Sequence, residues 1–229
     1  MGVAFTGIEI CVFDAYGTLF DFNSAVARHR AAIGPKADTL SEMWRTKQIQ
    51  YTWLRNGMAA YAPFWQVTGE ALDHCLAAHG ITDASVREKL MSAYLELDSF
   101  PEVPVMLDRL RGAGVRRAIL SNGNPEMLDR VVEASGLADC FEARISVDAA
   151  GVFKVDPRTY RLVEARTGVP PDKVCFLSSN CWDAHGAAHF GFKVAWVNRG
   201  AAPDDNLPGT IMGQLKDLSG LPALLGIPA

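Results

Sequence analysis

Five short apolar runs punctuate the chain, at residues 8–13, 117–120, 143–147, 174–177 and 194–197. Each is too short for a helix and largely lacks polar alternation, which predicts strands buried on both faces, as in a parallel sheet. From Pro104 onward, these runs alternate with helical patterns at 105–111, 125–134, 157–167 and 183–190, the order expected of a parallel α/β architecture. Between residues 21 and 98 no buried strand is predicted. That segment reads as helices at 24–33, 39–56, 64–79 and 85–97, ended at Gly34-Pro35, Gly57 and Gly80. The second carries Leu40, Met43, Trp44, Tyr51 and Leu54 on one face, and the last carries Val86, Leu90 and Tyr94. The fold class is therefore α/β, a five-stranded parallel sheet with an inserted helical cap. The sheet domain takes residues 1–20 and 99–229, and the cap residues 21–98. A short helix is expected near 221–225.

Composition narrows the class without naming a function. With 229 residues, 49% hydrophobic and 21% charged, the chain suits one globular domain carrying an insertion. A net charge of −4 supplies no basic footprint for nucleic acid or an acidic membrane. No apolar stretch approaches the roughly 20 residues that span a bilayer. The N-terminal Met1-Gly2-Val3-Ala4-Phe5 lacks the layout of a signal peptide, and Gly2 begins no convincing acylation site. The five cysteines (Cys11, Cys75, Cys140, Cys175 and Cys181) are odd in number and free of CxxC spacing. They point to reduced thiols in a cytoplasmic compartment. Cys181 and His185 stand four residues apart, a spacing that a thiol nucleophile and its base would share with many chance helical pairs.

The chemistry gathers at strand ends. Asp14 directly follows the first apolar run and precedes Gly17-Thr18. Ser121-Asn122, Lys154 and Ser178-Ser179-Asn180 each follow another run. In a parallel sheet these ends share one edge, so the groups can converge on a single site. On local sequence alone, Asp14 and Thr18 would equally suit a capped turn.

The segment Phe13-Asp14-Ala15-Tyr16-Gly17-Thr18-Leu19-Phe20 resembles the nucleophile motif of the haloacid dehalogenase superfamily. Three further segments match that superfamily in order: Ile119-Leu120-Ser121-Asn122-Gly123, Lys154 with Asp156-Pro157, and Phe176-Leu177-Ser178-Ser179-Asn180-Cys181-Trp182-Asp183. The resemblance spans residues 8–199 and implies a Rossmann-like core. Phosphatases of the superfamily need a second Asp two positions after the nucleophile and further acidic ligands for Mg²⁺. Here Tyr16 stands at that position, and Ser178-Ser179-Asn180 replaces the Gly-Asp start of the fourth motif. These departures resemble the L-2-haloacid dehalogenase branch, whose fourth motif often has Ala where Cys181 stands. Halide leaves without a proton, so no general acid is needed.

That resemblance implies hydrolysis of short L-2-haloalkanoic acids to D-2-hydroxy acids through an aspartyl ester. It implies no metal, no organic cofactor and a homodimer. Asp14 is the implied nucleophile, positioned by Thr18. Residues 44–55 resemble the segment carrying the halide-facing arginine, which falls on Arg45; a solvated surface arginine is the competing reading. Arg45 and Asn122 would face the halide, with Phe64 and Trp182 as apolar walls and Ile49 on the Arg45 face. Ser121, Lys154 and the backbone near Ala15 and Tyr16 would hold the substrate carboxylate. Asp183, oriented by Ser178, Asn180 and Lys154, would activate water, or serve as an N-cap. Tyr160 would support Lys154, line the pocket or simply pack. Val155 stands where the branch usually has Pro, which predicts a less rigid Lys154 loop. An Mg²⁺-dependent phosphatase and a catalytically silent binding domain are the alternatives.

Overall fold

A computed structural model describes residues 5–228. The readings of the N-terminal segment rest largely on residues 1–4, outside the described residues. Six strands form one sheet: β1 (Ile10–Phe13), β2 (Arg116–Ser121), β3 (Ala143–Ser146), β4 (Val174–Ser178), β5 (Lys193–Val197) and β6 (Gly213–Leu215). Their order is β3-β2-β1-β4-β5-β6, and every neighbouring pair is parallel. All four residues of β1 are fully buried, which explains its unbroken apolar run.

The predicted count of five strands is corrected to six. Gly213-Gln214-Leu215 pairs with Ala195-Trp196-Val197 at the sheet edge. Three residues, none of them fully buried, carry no periodic signal. Two strand ends also differ from prediction. Ile8 precedes β1, and Val147 opens a 3-10 turn whose Ser146 side chain accepts from the Asp148 N–H (3.1 Å).

Between β1 and β2 the chain forms α1 (Asn23–Arg28), α2 (Arg30–Ile33), α3 (Ala37–Gly57), α4 (Phe64–Ala78), α5 (Ala84–Tyr94) and α6 (Val103–Gly112). The remaining helices are α7 (Pro125–Ala134), α8 (Pro157–Thr167), α9 (Cys181–Phe190) and α10 (Leu221–Leu224). Proline at the first position starts α7 and α8, where its missing N–H costs nothing. Asp156 caps α8 by accepting from the Arg158 N–H (2.9 Å), and Gly168 ends it at φ +71°. The α3 stripe holds in part, with Leu40 and Trp44 buried. Leu54 is exposed, Met43 and Tyr51 are half-buried, and the buried face includes the polar Ser41, Gln48 and Thr52.

β1 lies between β2 and β4, so the chain winds outward in both directions from it. Such a switch point opens a crevice at the carboxyl ends of the strands. The Asp14 N–H continues the ladder to the Leu177 carbonyl (2.8 Å), which holds that residue at the mouth of the crevice.

Candidate active site

The loop after β1 folds back through bonds from the Leu19 and Phe20 N–H groups to the Ala15 carbonyl (2.9 and 3.0 Å). Gly17, at φ +90°, donates its N–H to the Phe20 carbonyl (2.7 Å). The Ala15 and Tyr16 N–H groups take no part in this turn. Asp14 is nearly buried, and its two oxygens differ in environment. Oδ2 accepts from Thr18 Oγ1 (3.1 Å), Asn180 Nδ2 (2.9 Å) and, at longer range, Ser178 Oγ (3.5 Å). Oδ1 accepts from Lys154 Nζ alone (3.1 Å).

Lys154 is 1% exposed and bridges two carboxylates, reaching Asp183 Oδ2 at 2.8 Å. Burial by itself would lower its pKa; Asp14 and Asp183 outweigh that and hold the ammonium above its ordinary value. Asp183 lies in the first turn of α9 and is fully buried, and its Oδ1 accepts from the Tyr160 hydroxyl (2.8 Å). Burial raises the Asp183 carboxyl above the usual range, Lys154 pulls it back, and Asp14 pushes it up further. Burial also drives the Tyr16 and Tyr160 phenols well up, so both stay protonated. The Lys154 ammonium thus lies between Asp14 Oδ1 and Asp183 Oδ2. The predicted looseness at Val155 does not reach Lys154, whose N–H is anchored on Asn122 Oδ1 (3.0 Å).

α3 contributes Arg45, which is half-buried and not a solvated surface residue. Its Nη1 donates to Gln48 Oε1 (2.9 Å), and its Nη2 to the Tyr16 carbonyl and Asn180 Oδ1 (both 3.2 Å). Its guanidinium carbon lies 4.9 Å from the Phe22 ring centre. Asn180 thus links the Arg45 guanidinium to the Asp14 carboxylate. Ser121 Oγ accepts from the Gly123 N–H (3.1 Å), which leaves its own hydrogen to donate. Asn122 has spent its oxygen on Lys154, so it offers the cavity an N–H₂ group.

Ten residues enclose a small cavity of about 10 Å³, and all belong to the predicted set: Asp14, Tyr16, Arg45, Ile49, Phe64, Ser121, Asn122, Lys154, Asn180 and Trp182. The other five predicted residues stand behind its wall. Thr18 and Ser178 hold Asp14, Tyr160 and Lys154 hold Asp183, and Ala15 closes the loop. Three expectations are corrected here. Ser178 and Asn180 orient Asp14, not Asp183, because β4 pairs with β1 and sets the residues at its end beside Asp14. Tyr160 does not line the cavity; of its three readings packing is observed, against Phe176, Phe190 and Phe192, and its hydroxyl reaches Asp183, the partner of Lys154. Asp183 is not an N-cap: α9 begins at Cys181 after Asn180.

Several supporting residues escaped the sequence reading. Gln48 accepts from Tyr94 OH (3.1 Å) and donates to Thr68 Oγ1 (2.7 Å), which fixes the group that holds Arg45. The Tyr16 ring stacks on Tyr94 at 5.4 Å. Gly123 admits that ring, since a Cβ there would lie 2.9 Å from Tyr16 Cε2. Gly186 admits Tyr160 to Asp183, since a Cβ there would lie 2.7 Å from the Tyr160 hydroxyl. Glycine within α9 was the one available signal for it.

A family model described as haloacid dehalogenase-like hydrolase matches residues 8–191. (S)-2-haloacid dehalogenase 1 of Pseudomonas sp. (strain CBS-3) is 44% identical over 219 residues, 95% of this chain and 96% of that protein. (S)-2-haloacid dehalogenase 4A of Burkholderia cepacia is 43% identical, over 95% of both chains. The L-2-haloacid dehalogenase of Xanthobacter autotrophicus, solved with chloropropionic acid covalently bound, superposes with a TM-score of 0.88. It is 38% identical, with 97% of this chain and 100% of that chain covered. With its four motifs at one sheet edge and these relatives along nearly its whole length, the chain belongs to the haloacid dehalogenase-like hydrolases, in the (S)-2-haloacid dehalogenase branch.

Proposed function

We propose that the protein hydrolyses short L-2-haloalkanoic acids to D-2-hydroxyalkanoic acids and halide, with Asp14 as a covalent nucleophile. The observation that carries this is the asymmetry of Asp14: Oδ2 is held by up to three donors, while Oδ1 meets only Lys154 at the cavity wall. Oδ1 attacks C2 from the face opposite the halogen, and the C–halogen electron pair leaves with the halide. Water then attacks Cγ of Asp14. The donors already on Oδ2 stabilise the oxyanion that develops there. The Cγ–Oδ1 bond breaks, and Oδ1 departs as the product hydroxyl.

In this reading Arg45 and Asn122 receive the halide, with Phe64 and Trp182 excluding water and Ile49 flanking the guanidinium. Ser121, Lys154 and the backbone N–H groups of Ala15 and Tyr16 hold the substrate carboxylate. Once Asp14 is esterified it loses its charge, and Lys154 turns toward the substrate. Asp183, kept in place by Tyr160, then takes a proton from the attacking water and passes it to Oδ1 as the Cγ–Oδ1 bond breaks; the second proton of the water leaves the regenerated Asp14 carboxyl for solvent. Residues 21–98 act as a cap over a core of 1–20 and 99–229. The exposed Trp53, Leu54 and Met58 at the end of α3 support assembly as a homodimer. The five free cysteines support a reducing, cytoplasmic setting. Among the described residues no helix is long and apolar enough to cross a membrane.

Halide release from L-2-chloropropionate in EDTA, with D-lactate as product, is the expected result. Hydrolysis of phosphate monoesters that needs added Mg²⁺, without halide release, would overturn the proposal. Arg45→Lys is expected to lower kcat and kcat/KM together by roughly 10²-fold, with little change in affinity for the hydroxy acid product. A lysine cannot span the Gln48, Tyr16 and Asn180 acceptors while presenting a planar fork to the leaving anion. Steady-state kinetics and product inhibition measure both quantities. An unchanged kcat would remove Arg45 from the reaction.

A further inference from the structure

Outside the cavity, Cys181 and His185 project from one face of α9, and Asp204 approaches them from the loop that precedes β6. One sulfur, one nitrogen and one oxygen of these residues lie within 4.8 Å of one another. Cys181 and His185 are nearly buried, whereas the Asp204 side chain is 46% exposed. The trio does not suit a nucleophilic thiol. His185 Nε2 is taken by Asp204 Oδ1 (2.7 Å) and Nδ1 by the Gly209 carbonyl (3.0 Å), so neither nitrogen faces the sulfur as a base. Burial also pushes the Cys181 thiol up.

The same geometry suits a metal ion. The Gly209 carbonyl fixes the His185 Nδ1–H, so Nε2, which here meets Asp204 Oδ1, is the nitrogen left to ligate, the usual support for a ligating imidazole. Residues at i and i+4 on a helix can place two ligands on one ion. The loop is held close to the helix: Gly209 adopts φ +108°, and a Cβ there would lie 2.4 Å from the His185 carbonyl oxygen. Asp204 is braced by the Asn206 N–H on its Oδ1 (2.6 Å). Its exposure leaves the fourth side of the group open to solvent.

We propose that Cys181, His185 and Asp204 form a binding site for a thiophilic divalent cation, with Zn²⁺ the best match. Thiolate, imidazole and carboxylate are ordinary zinc ligands, and a water completes a tetrahedron. As the Zn–S and Zn–N bonds form, the Cys181 thiol and the His185 Nε2–H that faces Asp204 give their protons to solvent, and Asp204 moves off His185 to admit the ion. The site is separate from the reacting atoms, because none of the three residues lines the catalytic cavity. Bound zinc ties the first turn of α9, which carries Trp182 and Asp183, to the loop at Asp204. Its consequence is stability, not turnover.

The test uses metal-stripped full-length protein, a phosphine reductant and ZnCl₂ as the probe. Equilibrium dialysis should retain one zinc per chain, and the melting temperature should rise with zinc concentration. Cobalt substitution should give a thiolate-to-metal charge-transfer band. Cys181→Ala should abolish that band, and Asp204→Asn, which keeps an oxygen for the His185 and Asn206 contacts, should weaken zinc binding at least tenfold. Turnover should be the same with and without zinc. Failure of the wild-type protein to retain zinc, or retention undiminished in both variants, would overturn the proposal.

Discussion

Asp14→Asn is expected to abolish halide release, by at least roughly 10⁴-fold, while the protein remains folded. A neutral amide is a far weaker nucleophile than a carboxylate. The substitution also reverses one side of the hydrogen-bond pattern. If the amide oxygen stays with Lys154, its N–H₂ group faces Thr18 Oγ1 and Asn180 Nδ2, both donors to the wild-type Oδ2. Thr18 can turn its hydroxyl and accept; Asn180 must flip, which detaches its oxygen from Arg45. The variant therefore loses the nucleophile and disturbs the link to the halide-facing arginine in one step. Halide release measured by ion-selective electrode, with circular dichroism as the folding control, checks this. Residual turnover within tenfold of wild type would mean that Asp14 is not the attacking group.

Lys154→Met should be nearly as damaging, with a large cost in stability as well. Its ammonium is 1% exposed between Asp14 and Asp183, the latter fully buried. Removing one member of a buried ionic group leaves the others uncompensated, at a cost of about 3–5 kcal/mol. The penalty has a defined pH dependence. Burial already raises the Asp183 carboxyl, and loss of Lys154 removes the group that pulls it back. The folded variant then binds a proton more tightly than its unfolded chain, whose carboxyl has its ordinary value of 3.8. Its stability accordingly falls as pH rises from that value through the raised folded one. The deficit relative to wild type should be largest near neutral pH and shrink on acidification. In the wild type, the raised Lys154 pKa contributes stability below 10.5, the unfolded value, that is lost as pH rises through the folded pKa. Urea titrations across pH measure both slopes; a pH-independent deficit would contradict this charge balance.

The strands were legible because burial on both faces demands unbroken apolar runs, as in Ile10–Phe13. β6 was not, because an edge strand of three half-exposed or exposed residues obeys no such demand. The convergence of Asp14, Ser121, Asn122, Lys154 and Asn180 followed from parallel topology alone, since each group ends or follows a strand at one edge. Which side chain meets which did not follow. Ser178 and Asn180 lie close in sequence to Asp183, yet the turn into α9 aims them at Asp14. Gln48 was invisible for a different reason: a glutamine on a helix reads as solvated until Tyr94, Thr68 and Arg45 are seen to satisfy it. Hydropathy registers burial of carbon, and it is blind to burial offset by hydrogen bonds.

The origin of the product's hydroxyl oxygen tests the covalent mechanism most directly. A single turnover of L-2-chloropropionate in H₂¹⁸O, with enzyme in excess, should yield unlabelled D-lactate and place ¹⁸O in the Asp14 side chain. Further turnovers should then deliver that label to product. Lactate carrying ¹⁸O after the first turnover, with Asp14 unlabelled, would mean that water attacks C2 directly and that Asp14 is never esterified.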